Sequence, residues 1–464
     1  MRKKSILSVF LMILMLSSSL SSGNLINKKE PKNLESLEFS YSSDEIFLKK
    51  AKWTVMYYMC GDSSLEIYIS PLLENLSKIA SSKDLKIVVL KDTKEKDDSR
   101  LYYINESGIK IELNTLLGWP EEVDMSNKNT FELFCSQVME AFPASHYAFV
   151  TYANGATGWQ TYPLDDRDGR GFLTIPELAE SLKKITKNGT RKFDILQTSC
   201  CMSNIELSYE IAPYVDYLVT TQEHIAHKDV VPRCYRAVWD LKNNTDMNPE
   251  EFASRYATRH KPHSFQYFVS YGERLCFLTK ILNKLPYTKL HTVMMHSSVA
   301  IINLSKIDGV VESLQNLSSY LLLYIDDKNI VDTLKYSRDN VRAFGKAFPK
   351  YWVFSIFYNK LPLEMFSYNC RIDLFNLVDL LSENVEYITI KNLCFSLMEK
   401  INDSIVELNK LPDDQAHGFN IYFPTNFRMY NKNLFVGKLP CPYEKLRLSE
   451  DIYWDDFLRK YLNV

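Results

Sequence analysis

Two adjacent cysteines, Cys200 and Cys201, follow the apolar run Phe193-Asp-Ile-Leu196 after Gln197, Thr198 and Ser199. A second polar segment, Tyr152-Ala-Asn154-Gly155-Ala-Thr-Gly158-Trp159, leaves the run His146–Tyr152. A thiol at a strand exit, just ahead of a helix, lies near the helix's positive end, which favours the nucleophilic thiolate. Alone, such a cysteine is more often packing than chemistry. To attack a carbonyl it needs a proton acceptor, because a thiol of ordinary pKa, about 8.5, is only a few per cent ionised at pH 7. The histidines stand at 146, 224, 227, 260, 263, 291, 296 and 417. His146 begins the strand that ends at Tyr152, roughly 20 Å from its exit by strand rise, which excludes it. His224 and His227 follow the next strand exit and are the candidates to face Cys200.

Metal chemistry is poorly supported. No CxxC or HExxH occurs, and nine cysteines without dense spacing are no disulfide scaffold. His224 and His227 fit loop histidines better than a metal pair. The segment Asp166-Arg-Asp168-Gly-Arg170-Gly171 with Glu177 echoes a calcium loop. Arg170 occupies a ligand position there, and Thr174, Pro176 and Glu177 already read as a helix-capping box. We expect no metal and no cofactor.

The elements that must position these residues are legible from periodicity. Near-continuous apolar runs at 53–59, 85–90, 146–152, 193–196 and 217–220 read as strands buried on both faces. Amphipathic stretches at 65–81, 129–141, 175–187 and 202–211 read as helices. This alternation predicts an α/β fold with a mostly parallel sheet covered by helices on both faces. In such sheets, chemistry gathers at the carboxyl ends of the strands. Past about 245 helical periodicity dominates 300–326, 373–383 and 390–409, with strand-like pieces at 265–269, 351–357 and 419–423. The expected organisation is a core at 49–245 with a mixed α+β region at 246–464 packed on it.

Residues 1–23 combine a basic head (Arg2, Lys3, Lys4), an almost unbroken apolar run of eleven residues, Ile6–Leu16, and a small polar stretch. Eleven residues rise about 16 Å as a helix, short of the roughly 30 Å hydrocarbon core. The pattern predicts a secretory signal peptide, a linker or pro-segment at 24–48, and no membrane attachment after its removal. Across the chain 55 Lys and Arg face 57 Asp and Glu. That balance offers no basic field for nucleic acid.

In order along the chain, several segments resemble the clostripain family of cysteine peptidases. Trp53–Glu66 is similar to the family's opening strand and loop, Glu122–Asn127 to the segment before its third strand, and His146–Val150 to that strand. Leu173–Leu178, Ile205–Glu210 and Tyr217–Glu223 resemble flanking blocks. Ile372–Val378 and Gly418–Pro424 resemble its closing segments. The resemblance implies a caspase-like fold.

It also implies site positions. Family members carry His-Gly after one strand and Asp-Ala-Cys after the next. The nucleophile position is then Cys200, and Gly155 with Gly158-Trp159 fits the loop after the base. Asn154 stands at the base position itself, and Thr198 replaces the Asp that helps an acidic pocket hold an Arg or Lys side chain. The implied substrate-binding positions are Thr198, Ser199, Trp159 and Glu223. A carboxamide can neither take a thiol proton nor return one, and losing general acid–base catalysis costs a factor of about 10²–10⁴. The expectation is an exported homologue with a degenerate site that binds a peptide or protein in the old cleft. The alternative is an active peptidase that uses Cys200 with His224 or His227 and avoids Arg and Lys.

Overall fold

The computed structural model describes residues 50–62, 65–153, 161–165, 171–198, 201–223, 227–268, 292–344, 370–425, 427, 430 and 441–464. Nine strands form one sheet in the order β14-β12-β9-β8-β5-β1-β2-β3-β4. They are β1 (Ala51–Gly61), β2 (Leu85–Thr93), β3 (Arg100–Ile104), β4 (Lys110–Glu112), β5 (Ala144–Tyr152), β8 (Phe193–Gln197), β9 (Val215–Thr220), β12 (Val299–Asn303) and β14 (Ile405–Asn409). Two-stranded pairs join β6 (Thr161–Asp165) to β7 (Gly171–Thr174), β10 (Ser264–Phe268) to β11 (Thr292–His296), and β13 (Arg371–Asp373) to β15 (Asn420–Tyr422). The strands β9, β8, β5, β1 and β2 run parallel. β3, β4, β12 and β14 extend the two sides in antiparallel pairs.

The side-chain period of two sorts β1 between two cores. Trp53, Val55, Tyr57 and Met59 enter one hydrophobic cluster, and Met56, Tyr58 and Cys60 enter the other. On the first face lie α1 (Glu66–Ile79), α5 (His227–Asn243) and α6 (Pro249–Thr258). Ile69, Leu72, Leu73, Leu76 and Ile79 of α1 repeat at helical spacing and are buried. On the second face lie α2 (Lys128–Ala141), α3 (Ile175–Ile185), α4 (Ile205–Ile211), α7 (Ile307–Leu323), α8 (Leu374–Asn384), α9 (Ile388–Ser404) and the C-terminal α10 (Trp454–Leu462). The expected capping box is present: Thr174 Oγ1 accepts from Glu177 N, and Glu177 Oε2 accepts from Thr174 N at 2.9 Å.

Two expectations are corrected. The helical readings of 300–326 and 390–409 each include a strand, β12 and β14, and both strands join the main sheet rather than a separate layer. β12 accounts for this: Val299, Ala300, Ile301 and Ile302 are all buried, and Ala300–Asn303 pair with β9, so sheet context overrides a helical apolar spacing. The antiparallel strands β3 and β4 were also outside the expected set. The strand-like piece at 351–357 lies outside the described residues.

The chain leaves β1 for β2 on one side, then crosses back to β5, β8 and β9 on the other. The reversal sits between β1 and β5, and the crevice at their carboxyl ends is where an open α/β sheet takes a ligand.

Candidate active site at the carboxyl edge of the sheet

The segment leaving β8 is pinned on both sides of residue 200. Thr198 donates its N–H to Val219 O (2.9 Å), and its hydroxyl meets Thr220 Oγ1 at 2.9 Å. Its carbonyl lies 3.4 Å from Nη2 of Arg233, a fully buried guanidinium from α5. Beyond the undescribed Ser199 and Cys200, Cys201 is buried in a left-handed conformation, φ +57°. A residue with a Cβ pays for that conformation, so the turn is held by its surroundings. Cys201 N donates to Thr221 Oγ1 (3.0 Å), and Cys201 O accepts from Arg371 Nη1 (3.1 Å) on β13. Ser203 then donates to Thr221 O (3.1 Å), its hydroxyl bonds Gly418 O, and its carbonyl accepts from Asn420 N at 2.6 Å. Asn204 caps α4 through Leu207 N (2.8 Å).

The exit of β9 supplies the neighbouring wall. Glu223 is buried with its carboxylate 3.8 Å from Arg342 Nη2, and Arg342 Nε lies 3.3 Å from Asp414 Oδ1. Gln222 Nε2 donates to Asp373 Oδ2 (2.9 Å) and Asn420 Oδ1 (3.0 Å), while its Oε1 accepts from Gly418 N (2.6 Å). His417 holds Asp373 Oδ1 through Nδ1 (3.1 Å) and stacks on Phe375 with ring centroids 4.5 Å apart. Behind α5, His260 Nε2 meets Ser297 Oγ at 3.1 Å. Burial, then the charge of Arg233, pushes the His260 pKa down to about 3. An imidazole that weakly basic cannot collect a proton from a thiol at neutral pH.

Of the residues singled out from sequence, Thr198 and Glu223 both stand at this edge. Asn154, Gly155, Trp159, Ser199, Cys200 and His224 lie outside the described residues, as do 166–170 of the calcium-like segment. His227 is the first residue of α5. His146 sits at the opposite end of the sheet, bound to Asp194 at 2.8 Å, in keeping with its exclusion. Among the described residues, one carboxylate group, Asp92, Asp98 and Glu122, is close enough to converge on a cation. Lys91, Ser99 and Thr93 already donate to its oxygens.

Arg233, Arg342, Arg371 and the Gln222–Asp373–His417 cluster were not picked out from sequence. The Ile372 and Gly418 blocks marked where the last cluster would come from. Their convergence on the β9 exit is a tertiary fact without a local signal.

The profile of the Clostripain family matches residues 57–461. The chain belongs to the clostripain family. No curated protein sequence matches it. Two solved structures resemble this clostripain-family chain in fold. An inactive zymogen C11 protease from Parabacteroides distasonis gives a TM-score of 0.54 at 15% identity, over 88% of this chain and 98% of that one. A secreted C11 cysteine protease from Bacteroides thetaiotaomicron, in complex with an irreversible peptide inhibitor, gives 0.52 at 14% identity, over 81% and 93%. The family resemblance and the caspase-like sheet expected from the sequence are both borne out. Among the described residues no helix is long and apolar enough to cross a membrane.

Proposed function

We propose that this clostripain-family chain is exported, lacks the usual Arg/Lys-directed peptidase activity, and binds a peptide or protein at the carboxyl edge of the sheet. The observation that carries the reading is Asn154 at the position where the family resemblance puts the histidine base. With an amide there, Cys200 has neither a proton acceptor for attack nor a donor for the leaving amine. The surroundings of Thr198 support the loss of basic specificity. Its hydroxyl is engaged by Thr220, and the charged group on its carbonyl is the cation Arg233. Thr198 brings no carboxylate to balance a substrate Arg or Lys where the family resemblance puts an Asp. The neighbour from Bacteroides thetaiotaomicron holds a peptide inhibitor, which favours a peptide-shaped ligand for this edge. The basic head and apolar run of residues 1–23 support export.

The test is turnover of a mixed peptide library by the mature chain, with Cys200→Ala as control. No cleavage above the control is expected. Cleavage that disappears in Cys200→Ala overturns the reading and favours a substitute base. The double substitution Asn154→His with Thr198→Asp should revive cleavage after Arg or Lys.

A further inference from the structure

Glu206 is completely buried in the second position of α4, the helix that follows the Cys200 loop. Its Oε1 accepts two hydrogen bonds, from Tyr422 N (2.8 Å) on β15 and from the hydroxyl of Tyr443 (2.9 Å). Its Oε2 meets no hydrogen-bond partner among the described residues. A buried carboxyl group in that state is costly, so its presence calls for a reason.

The reason lies in the geometry of β15. Asn420 pairs with the segment ahead of α4, forming a bridge with Asn204 and donating its N–H to Ser203 O. Two residues on, the partner chain has turned into a helix and its backbone can no longer accept. The Glu206 carboxylate takes the Tyr422 N–H at that point and continues the pairing. A buried donor that would be orphaned is thereby satisfied. Tyr443 places its hydroxyl on the same oxygen and packs its ring against Tyr422, with centroids 4.7 Å apart.

The C-terminal segment grips α4 again further along. Glu210 accepts from Arg447 N (2.7 Å), Arg447 Nη1 donates to Tyr209 O (3.1 Å), and the Arg447 guanidinium lies 3.9 Å from the Tyr209 ring centroid. Tyr209 in turn donates to Asp451 (2.8 Å). Every residue of α4 is buried, so the helix has little room to shift unless these contacts do.

We propose that Glu206 is a positioning residue through which residues 441–464 and β15 fix residues 201–204 of the loop that follows β8. The inference rests on the reading of that loop as the family's nucleophile loop. The C-terminal segment contributes no group to the sheet's carboxyl edge in this view; it acts on the loop through α4.

The test measures hydrogen exchange of the 198–206 segment and the iodoacetamide reactivity of Cys200 in the mature chain. Tyr443→Phe removes one donor with little change of shape. Glu206→Gln keeps an acceptor for both donors, whereas Glu206→Ala keeps none. Tyr443→Phe and Glu206→Ala should speed exchange at the Cys201 and Ser203 amides by about tenfold, with exchange in β1 and β5 unchanged. Glu206→Gln should stay within about twofold of the parent. Cys200 alkylation should rise in step. Tyr443→Phe keeps the test sound even where Glu206→Ala fails to fold. Faster exchange confined to 420–464, or Glu206→Gln matching Glu206→Ala, overturns the inference. If exchange responds at 201–203 while Cys200 stays unreactive in every variant, the positioning role stands and the nucleophile-loop reading fails.

Discussion

The charge of Arg233 acts on His260: the guanidinium that holds the Thr198 carbonyl also adds to burial in depressing the basicity of the buried imidazole. A cation beside an imidazole opposes its protonation, adding to the effect of burial. Arg233→Met should therefore raise the His260 pKa from about 3, while burial keeps it below the ordinary 6.5. NMR titration of the His260 ring reads this directly. A pKa unmoved by the substitution would assign the shift to burial alone.

Glu206 makes stability depend on pH in a defined direction. Burial raises its pKa from 4.5 to about 7 in the folded chain. An acid with a raised native pKa stabilises the fold when protonated. Its contribution is fully present below pH 4.5 and is lost as pH rises through 7. At about 1.36 kcal/mol per unit, the loss is about 3 kcal/mol. Urea unfolding at pH 5 and pH 8 should show most of that loss, superimposed on other groups, and Glu206→Gln should remove it.

Asp373 is a fully buried carboxylate serving several donors at once: Asn376 N (2.8 Å) as the cap of α8, His417 N (2.7 Å), His417 Nδ1 and Gln222 Nε2. Asp373→Ala leaves these groups without their acceptor, and each orphaned buried donor costs about 1–3 kcal/mol. A loss of about 3 kcal/mol or more in chemical denaturation is expected. Asp373→Asn keeps a cap and should cost less.

Thr174→Ala breaks the capping box of α3, typically worth about 1 kcal/mol. Its Oγ1 and N–H both engage Glu177, so the damage is local to the first turn. Denaturation should register the loss, and exchange should accelerate at the first amides of α3 but not in α2.

Cys234, Cys370 and Cys394 are buried and their pKa values are pushed up to about 11, 11 and 12. Cys135 is shifted upward by burial as well. Brief iodoacetamide treatment of the native chain at pH 7 should spare all four, as read by peptide mass mapping. Labelling at any of them would mean the core opens on that timescale.

The strands that carry the carboxyl edge could be read because β1, β2, β5, β8 and β9 are sealed on both faces, and sealed strands write their burial into unbroken apolar runs. Thr174 and Glu177 were equally plain, since a capping box is a contact between near neighbours in sequence. β12 and β14 were hidden because each abuts a helix without a break, at Asn303–Lys306 and Ser404, so the apolar spacing runs on. Arg233 offers a sharper case. A charged residue among apolar neighbours reads as a solvated face, and only the folding of α5 over the β8 exit makes it a buried ligand of Thr198 O. The same holds for Glu206, whose partners are more than 200 positions away in the chain.

β12 hydrogen-bonds to β9, and β14 to β12. A nascent chain that has emerged only through β9 therefore carries a bare strand edge, open to pairing with any other polypeptide. About 80 further residues must follow before β12 closes that edge, and β14 then pairs with β12 in turn. During synthesis the N-terminal half depends on being shielded or kept unfolded, and shortened versions ending before residue 300 would self-associate rather than stand alone.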